Sequence, residues 1–131
     1  MLTFGGLFDI FIFAQNGRKG KNMTGKQRAV QIWAVLVWAA RHGQTITYDD
    51  LGKLIGVPRQ GLAPILAHIQ SYCEKRGKGT PILTAIVVGK HNGLPSGGCH
   101  IAPENAPAEF QRVFNYKWDK INPTPEGKPI F

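Results

Sequence analysis

The sequence predicts a mainly α fold with a small antiparallel β hairpin, arranged as a winged helix-turn-helix. Three observations predict it. Residues 24–75 hold three helical segments, each closed by a glycine: Gly43, Gly56 and Gly77. The third segment carries one apolar stripe and one small or polar face. After it comes a β-branched run, Pro81–Val88, followed by a glycine-rich stretch and a short return at Cys99-His100-Ile101.

The first helix is expected to open at Thr24, with Gln27 three residues on completing a capping box. It runs through Ala29–Ala40, apolar enough to be buried on much of its circumference, and closes at Arg41-His42-Gly43. Thr45-Ile46-Thr47 suits a brief strand. Thr47 then caps a second helix with Asp50 at the third position, and Leu51, Leu54 and Ile55 lie at helical spacing up to Gly56. The third helix is expected from about Gln60, with Pro64 in its first turn. Leu62, Ile65, Leu66, Ile69 and Cys73 form its apolar stripe. Pro81–Val88 reads as a strand by β-branched content, and a last helix is expected over about 106–121, with Phe110, Val113, Phe114, Lys117, Trp118 and Ile121 on one side.

These elements divide the chain into an apolar arm and basic linker (1–22), a domain (23–121) and an irregular, proline-containing tail (122–131). The arm is too short to span a bilayer and is interrupted by Asp9, and it lacks the flanks of a signal peptide, so no membrane association is expected. Two interpretations of it stay open: Leu7–Phe13 packs on the domain or on a second subunit, or the natural start is Met23. In the first, residues 2–14 offer a surface for a homodimer. The two cysteines, Cys73 and Cys99, have no partners at metal-ligand spacing, and a reduced, cytoplasmic protein is the expectation.

Charge points to the partner. In 131 residues Lys and Arg number 16 against 8 Asp and Glu, a formal net charge of +8. Between Arg18 and Lys90 the only acids are Asp49, Asp50 and Glu74. A polyanion is the natural ligand of such a surface. In a winged helix-turn-helix the third helix enters a groove of duplex DNA while the hairpin tip follows the phosphates. The candidate contacts are therefore Arg59, Gln60, Ala63, His68 and Ser71 on the third helix, with Lys75 at its end beside Arg76 and Lys78. Tyr48 and Lys53 come from the second helix, and Lys90, His91 and Asn92 from the wing.

Catalytic and cofactor chemistry are not expected. Asp49 and Asp50 are accounted for by helix capping, and Glu74, Glu104 and Glu109 show no metal-binding grouping. His91, Cys99 and His100 flank the wing tip without a fourth ligand for a metal. Tyr116 and Trp118, near Lys117 and Lys120, are candidates for stacking on unpaired bases or, equally, for core packing.

The stretch Ile46-Thr47-Tyr48-Asp49-Asp50-Leu51-Gly52-Lys53-Leu54-Ile55-Gly56-Val57-Pro58-Arg59 resembles the start of the helix-turn-helix of the O6-alkylguanine-DNA alkyltransferases and the inert alkyltransferase-like proteins. The similarity extends over roughly residues 28–100, including Pro81-Ile82-Leu83 and the glycine-rich Ser96-Gly97-Gly98. It implies a module that binds the minor groove of DNA, with Tyr48 against a phosphate beside a flipped base. The family's alkyl-accepting Pro-Cys-His-Arg box falls near Thr84–Val88, where this chain has Thr-Ala-Ile-Val-Val, and the arginine it inserts into the base stack falls at about Leu62. The resemblance thus implies the binding scaffold without alkyl transfer. The expectation is a non-catalytic DNA-binding protein, either a regulator or a recogniser of DNA structure or lesions. The alternative is a protein-interaction module whose basic charge is incidental.

Overall fold

The computed structural model describes residues 23–95 and 101–131. Helix α1 (Gly25–Arg41) opens with the capping box the sequence announces: Thr24 Oγ1 accepts from the Gln27 N–H at 3.1 Å, and Gln27 Oε1 accepts from the Thr24 N–H at 2.9 Å. Two orphan donors of the first turn are thereby satisfied. Its buried side carries Ala29, Ile32, Trp33, Val35, Leu36, Ala39 and Ala40, seven of its 17 residues, on one face of the helix. Strand β1 (Ile46–Thr47) leads directly into α2 (Tyr48–Ile55), capped by Thr47 Oγ1, which accepts from the Asp50 N–H at 3.1 Å. Helix α3 (Arg59–Lys75) packs its stripe of Leu62, Ile65, Leu66, Ile69 and Cys73 against α1 and α2.

The corner between α2 and α3 is set by close approach. Gly56 sits in the left-handed region (φ 72°) and closes α2, and the Val57 N–H returns to the Gly52 carbonyl at 3.0 Å. A Cβ on Gly52 would lie 2.6 Å from the Val57 carbonyl oxygen, so only glycine lets the turn cross α2 at that height. Pro64 lies in the second turn of α3, because that helix starts at Arg59, a residue earlier than the expected start. Its missing N–H leaves the carbonyl of the exposed Gln60 without the usual helical donor.

The expected antiparallel hairpin is not what forms. Pro81–Val88 is mostly not a strand: Leu83–Ile86 turn as a buried 3-10 segment against α1, α3 and the last helix, and only Val87–Val88 make strand β2. β2 pairs with β1 in parallel, Ile46 opposite Val87 and Thr47 opposite Val88. The reason is the length of the partner. β1 ends after two residues because Thr47 already caps α2, so β-branched residues upstream of Val87 find no ladder to join and close their backbone in a turn instead. One antiparallel bridge, Val88 to Pro95, remains of the hairpin, and a proline, having no N–H, is a natural end for a ladder. The expected return strand at 99–101 and the glycine-rich tip at 96–98 lie outside the described residues except Ile101, which is not in a strand. The arm and linker of residues 1–22, with the homodimer surface of residues 2–14, also lie outside them.

The last helix is shorter than expected. α4 (Ala106–Asn115) stops at Tyr116, which turns extended (ψ 144°), and Trp118–Lys120 form a separate 3-10 turn. The Trp118 indole N–H donates to the Val113 carbonyl at 2.9 Å, and its ring stands edge-on to Trp33 at 5.6 Å. Burying that ring is what ends the helix. The tail brings Phe131 to Trp33 and Tyr72, 5.7 and 5.8 Å between ring centres. Among the described residues no helix is long and apolar enough to cross a membrane.

Candidate nucleic-acid interface

The parallel register organises the site. Because Thr47 pairs with Val88, the chain leaves both strands at the same end: one runs into Tyr48, the first residue of α2, and the other into the turn Gly89–Leu94. That turn is tight. The Gly89 N–H donates to the Leu94 carbonyl (2.9 Å), the Gly93 N–H to the Gly89 carbonyl (3.0 Å), and Asn92 Oδ1 accepts from the Leu94 N–H (3.0 Å). Lys90 and His91 are exposed at its apex, while the Asn92 carbonyl oxygen is spent on the turn itself.

Arg59 joins this end of the molecule from α3. Its guanidinium carbon stands 5.6 Å from the centre of the Tyr48 ring, and Nη1 is 3.9 Å from Asp49 Oδ1. The Arg59 and Asp49 side chains are 60% and 40% exposed, so the pair is loose and worth at most about 1 kcal/mol. Tyr48, Asp49, Gly52, Lys53, Val57 and Arg59 surround a shallow cleft of about 280 Å³.

The two helices that meet here have opposite N-termini. α2 is capped by Thr47 and carries Asp49 and Asp50 in its first turn. α3 has Pro58 at its cap position, no side-chain cap and no acid in its first turn. The positive end of the α3 dipole is therefore uncompensated, with Arg59 added to it, which is the arrangement that accepts an oxyanion.

The remaining sequence candidates lie further along α3. Gln60, Ala63, Ser71 and Lys75 share one exposed face. His68 is half-buried with its ring beside Gly25 at the start of α1. Together with Lys26, His68, Ser71 and Lys75 border a second hollow of about 410 Å³, closed on its apolar side by Tyr72 and Phe131. The structure thus gathers Tyr48, Lys53 and Arg59 at one end, with the Lys90 turn issuing beside them, and His68, Ser71 and Lys75 toward the other. Leu62, the position the resemblance gives to an inserted arginine, is fully buried. Trp118 is also buried and has no face for a base.

Sequence reasoning missed Lys26, and it assigned Asp49 to capping alone although the carboxylate also faces Arg59. It also missed the meeting of Arg76 with Tyr116 and Lys120, because Arg76 lies about forty residues from the other two and no spacing links them. Among the described residues no group of three or more His, Cys, Asp or Glu is placed to hold a metal ion. No family model, no curated protein and no solved structure matches this chain.

Proposed function

We propose that this is a non-catalytic DNA-binding protein of winged helix-turn-helix type, acting as a regulator or as a recogniser of DNA structure. The observation that carries this is the convergence of three features at one end of the fold. These are the uncapped, arginine-bearing start of α3, Tyr48 with Lys53 on α2, and the Lys90 turn that the parallel strand pair delivers beside them. In this reading α3 faces a groove of the duplex, Lys53, Arg59 and Lys90 meet phosphates, and the Gly89–Leu94 turn is the root of the wing. The resemblance to the alkyltransferase scaffold favours the minor groove and places Tyr48 against a phosphate. The small, exposed Ala63 and Ala67 on α3 are consistent with close approach to a backbone.

The test is duplex binding by fluorescence anisotropy, comparing the wild-type chain with an Arg59→Glu/Lys90→Glu variant. The variant should bind about a hundredfold more weakly or worse, since each lost charge-assisted contact is worth roughly 1.5–3 kcal/mol. Both side chains are exposed, so its thermal unfolding should stay close to wild type. Equal affinity of the two proteins would remove this surface from consideration.

A further inference from the structure

At the far end of α3 a second set of cations converges, and among the described residues no carboxylate forms an ion pair with it. Arg76 follows the last turn of α3. Its Nε donates to Thr80 Oγ1 at 3.3 Å, its Nη1 to Tyr72 Oη at 3.5 Å, and its guanidinium lies 5.9 Å from the Tyr72 ring centre. It also hydrogen-bonds the Tyr116 hydroxyl. From the other side Lys120 reaches the same phenol, with Nζ 4.4 Å from the Tyr116 ring centre. Two positive groups thus share one neutral acceptor.

The nearby acids are engaged elsewhere. Glu74 accepts from the Gln70 amide at 2.8 Å, and Asp119 pairs with Arg41. Bringing like charges to one oxygen costs free energy unless an anion lies between them. The phenol registers the same field: burial raises its pKa, but hydrogen bonds from Thr80, Arg76 and Lys120 and the charge of Lys120 outweigh burial and hold it below the usual tyrosine range.

The cluster is built rather than incidental to a loop. Tyr116 packs at a tilt on Trp118, 4.5 Å between ring centres, Trp118 is buried against Trp33, and Tyr72 stands edge-on to the same Trp33 at 5.9 Å. Two buried, mutually packed indoles therefore support the two phenols, and the phenols hold Arg76. A guanidinium fork, an ammonium and three neighbouring hydroxyls are the kinds of donor that recognise a tetrahedral oxyanion.

We infer that Arg76, Lys120 and the hydroxyls of Tyr72, Thr80 and Tyr116 form a binding site for a phosphate group. It lies about 25 Å from Arg59 along α3, from the helical rise of about 1.5 Å per residue. As a site for free phosphate it is independent of the DNA reading; as a site for a backbone phosphate it rests on that reading and gives the nucleic acid a second anchor.

The experiment is calorimetric titration of the full chain with inorganic phosphate, and separately with a short duplex, for wild type, Arg76→Gln/Lys120→Gln, Tyr116→Phe and Arg59→Glu/Lys90→Glu. Wild type should bind inorganic phosphate saturably. Arg76→Gln/Lys120→Gln should weaken that binding about tenfold or more, Tyr116→Phe should weaken it less, and Arg59→Glu/Lys90→Glu should leave in place the component that Arg76→Gln/Lys120→Gln loses. Weakened duplex binding in Arg76→Gln/Lys120→Gln, with no measurable binding of inorganic phosphate to wild type, identifies the ligand as a backbone phosphate. No phosphate binding by wild type and unchanged duplex affinity in Arg76→Gln/Lys120→Gln together overturn the site. No duplex binding by wild type, with its phosphate binding intact, overturns the DNA reading and not this one. Because Tyr116→Phe keeps the ring on Trp118, it separates loss of the ligand from loss of the fold.

Discussion

The two ends of α3 use the same device with opposite surroundings. At the start, Arg59 lies over Tyr48; at the finish, Arg76 lies over Tyr72, the ring distances being 5.6 and 5.9 Å. Asp49 faces the first arginine and tempers it, while Lys120 approaches the second and adds to it. The start carries an uncompensated positive dipole, and the finish carries a negative one that Lys75 and Arg76 offset. The comparison teaches that a residue pair alone does not define an anion site. At one end the helix terminus supplies the field, and at the other a second cation supplies it.

Placing an arginine at position 62 is the strongest disturbance of the first end. Leu62 is fully buried, so Leu62→Arg leaves an unpaired charge in the core and should cost roughly 3–5 kcal/mol, measured by denaturant unfolding. A folded Leu62→Arg with tighter DNA binding would instead mean that this position can turn outward. Next comes the corner that aims Arg59. Gly52→Val must displace the Val57 carbonyl and should cost about 1–3 kcal/mol, with weaker duplex binding at temperatures where the variant is still folded.

Smaller effects sharpen the electrostatic contrast. Asp49→Asn makes the start of α3 resemble its finish. Duplex affinity should rise about two- to fivefold, the scale of an exposed ion pair of roughly 0.2–1 kcal/mol, while stability falls slightly because α2 loses an acid from its first turn. Cys73 reports whether the core beneath both ends stays closed. Burial, opposed by a backbone hydrogen bond with Leu83, raises its thiol pKa from 9.0 to about 11. A neutral thiol is preferred in the folded state, so its contribution to stability is complete below pH 9 and is lost as pH rises toward 11. At neutral pH Cys73 should resist thiol reagents in every surface-charge variant and react once the chain unfolds.

Much of the first half was legible because its signals are local. Thr24 with Gln27, Thr47 with Asp50, Gly56, and the stripe from Leu62 to Cys73 each lie within a few turns of backbone, and each forms as its spacing dictates. The second half depends on partners distant in sequence. Pro81–Val88 has the composition of a strand, but β1 offers only two residues to pair with, so the segment turns. The helix expected through Ile121 stops at Asn115, and Trp118 beyond it packs against Trp33, a contact no local spacing announces. The site divides in the same way. Arg59 beside the helix start could be read from order alone, and Tyr72 with Arg76 from i, i+4 spacing. The approach of Tyr116 and Lys120 to Arg76 needed the folded chain.

The most direct measurement is duplex affinity across a salt series for wild type and Arg59→Glu/Lys90→Glu. Wild type should bind with a log–log slope steepened by about 0.9 for each phosphate that Lys53, Arg59 and Lys90 neutralise, and the variant should lose about two such increments along with most of its affinity. Equal slopes and affinities in the two proteins, or no binding by wild type at low salt, would contradict the assignment of this surface to DNA.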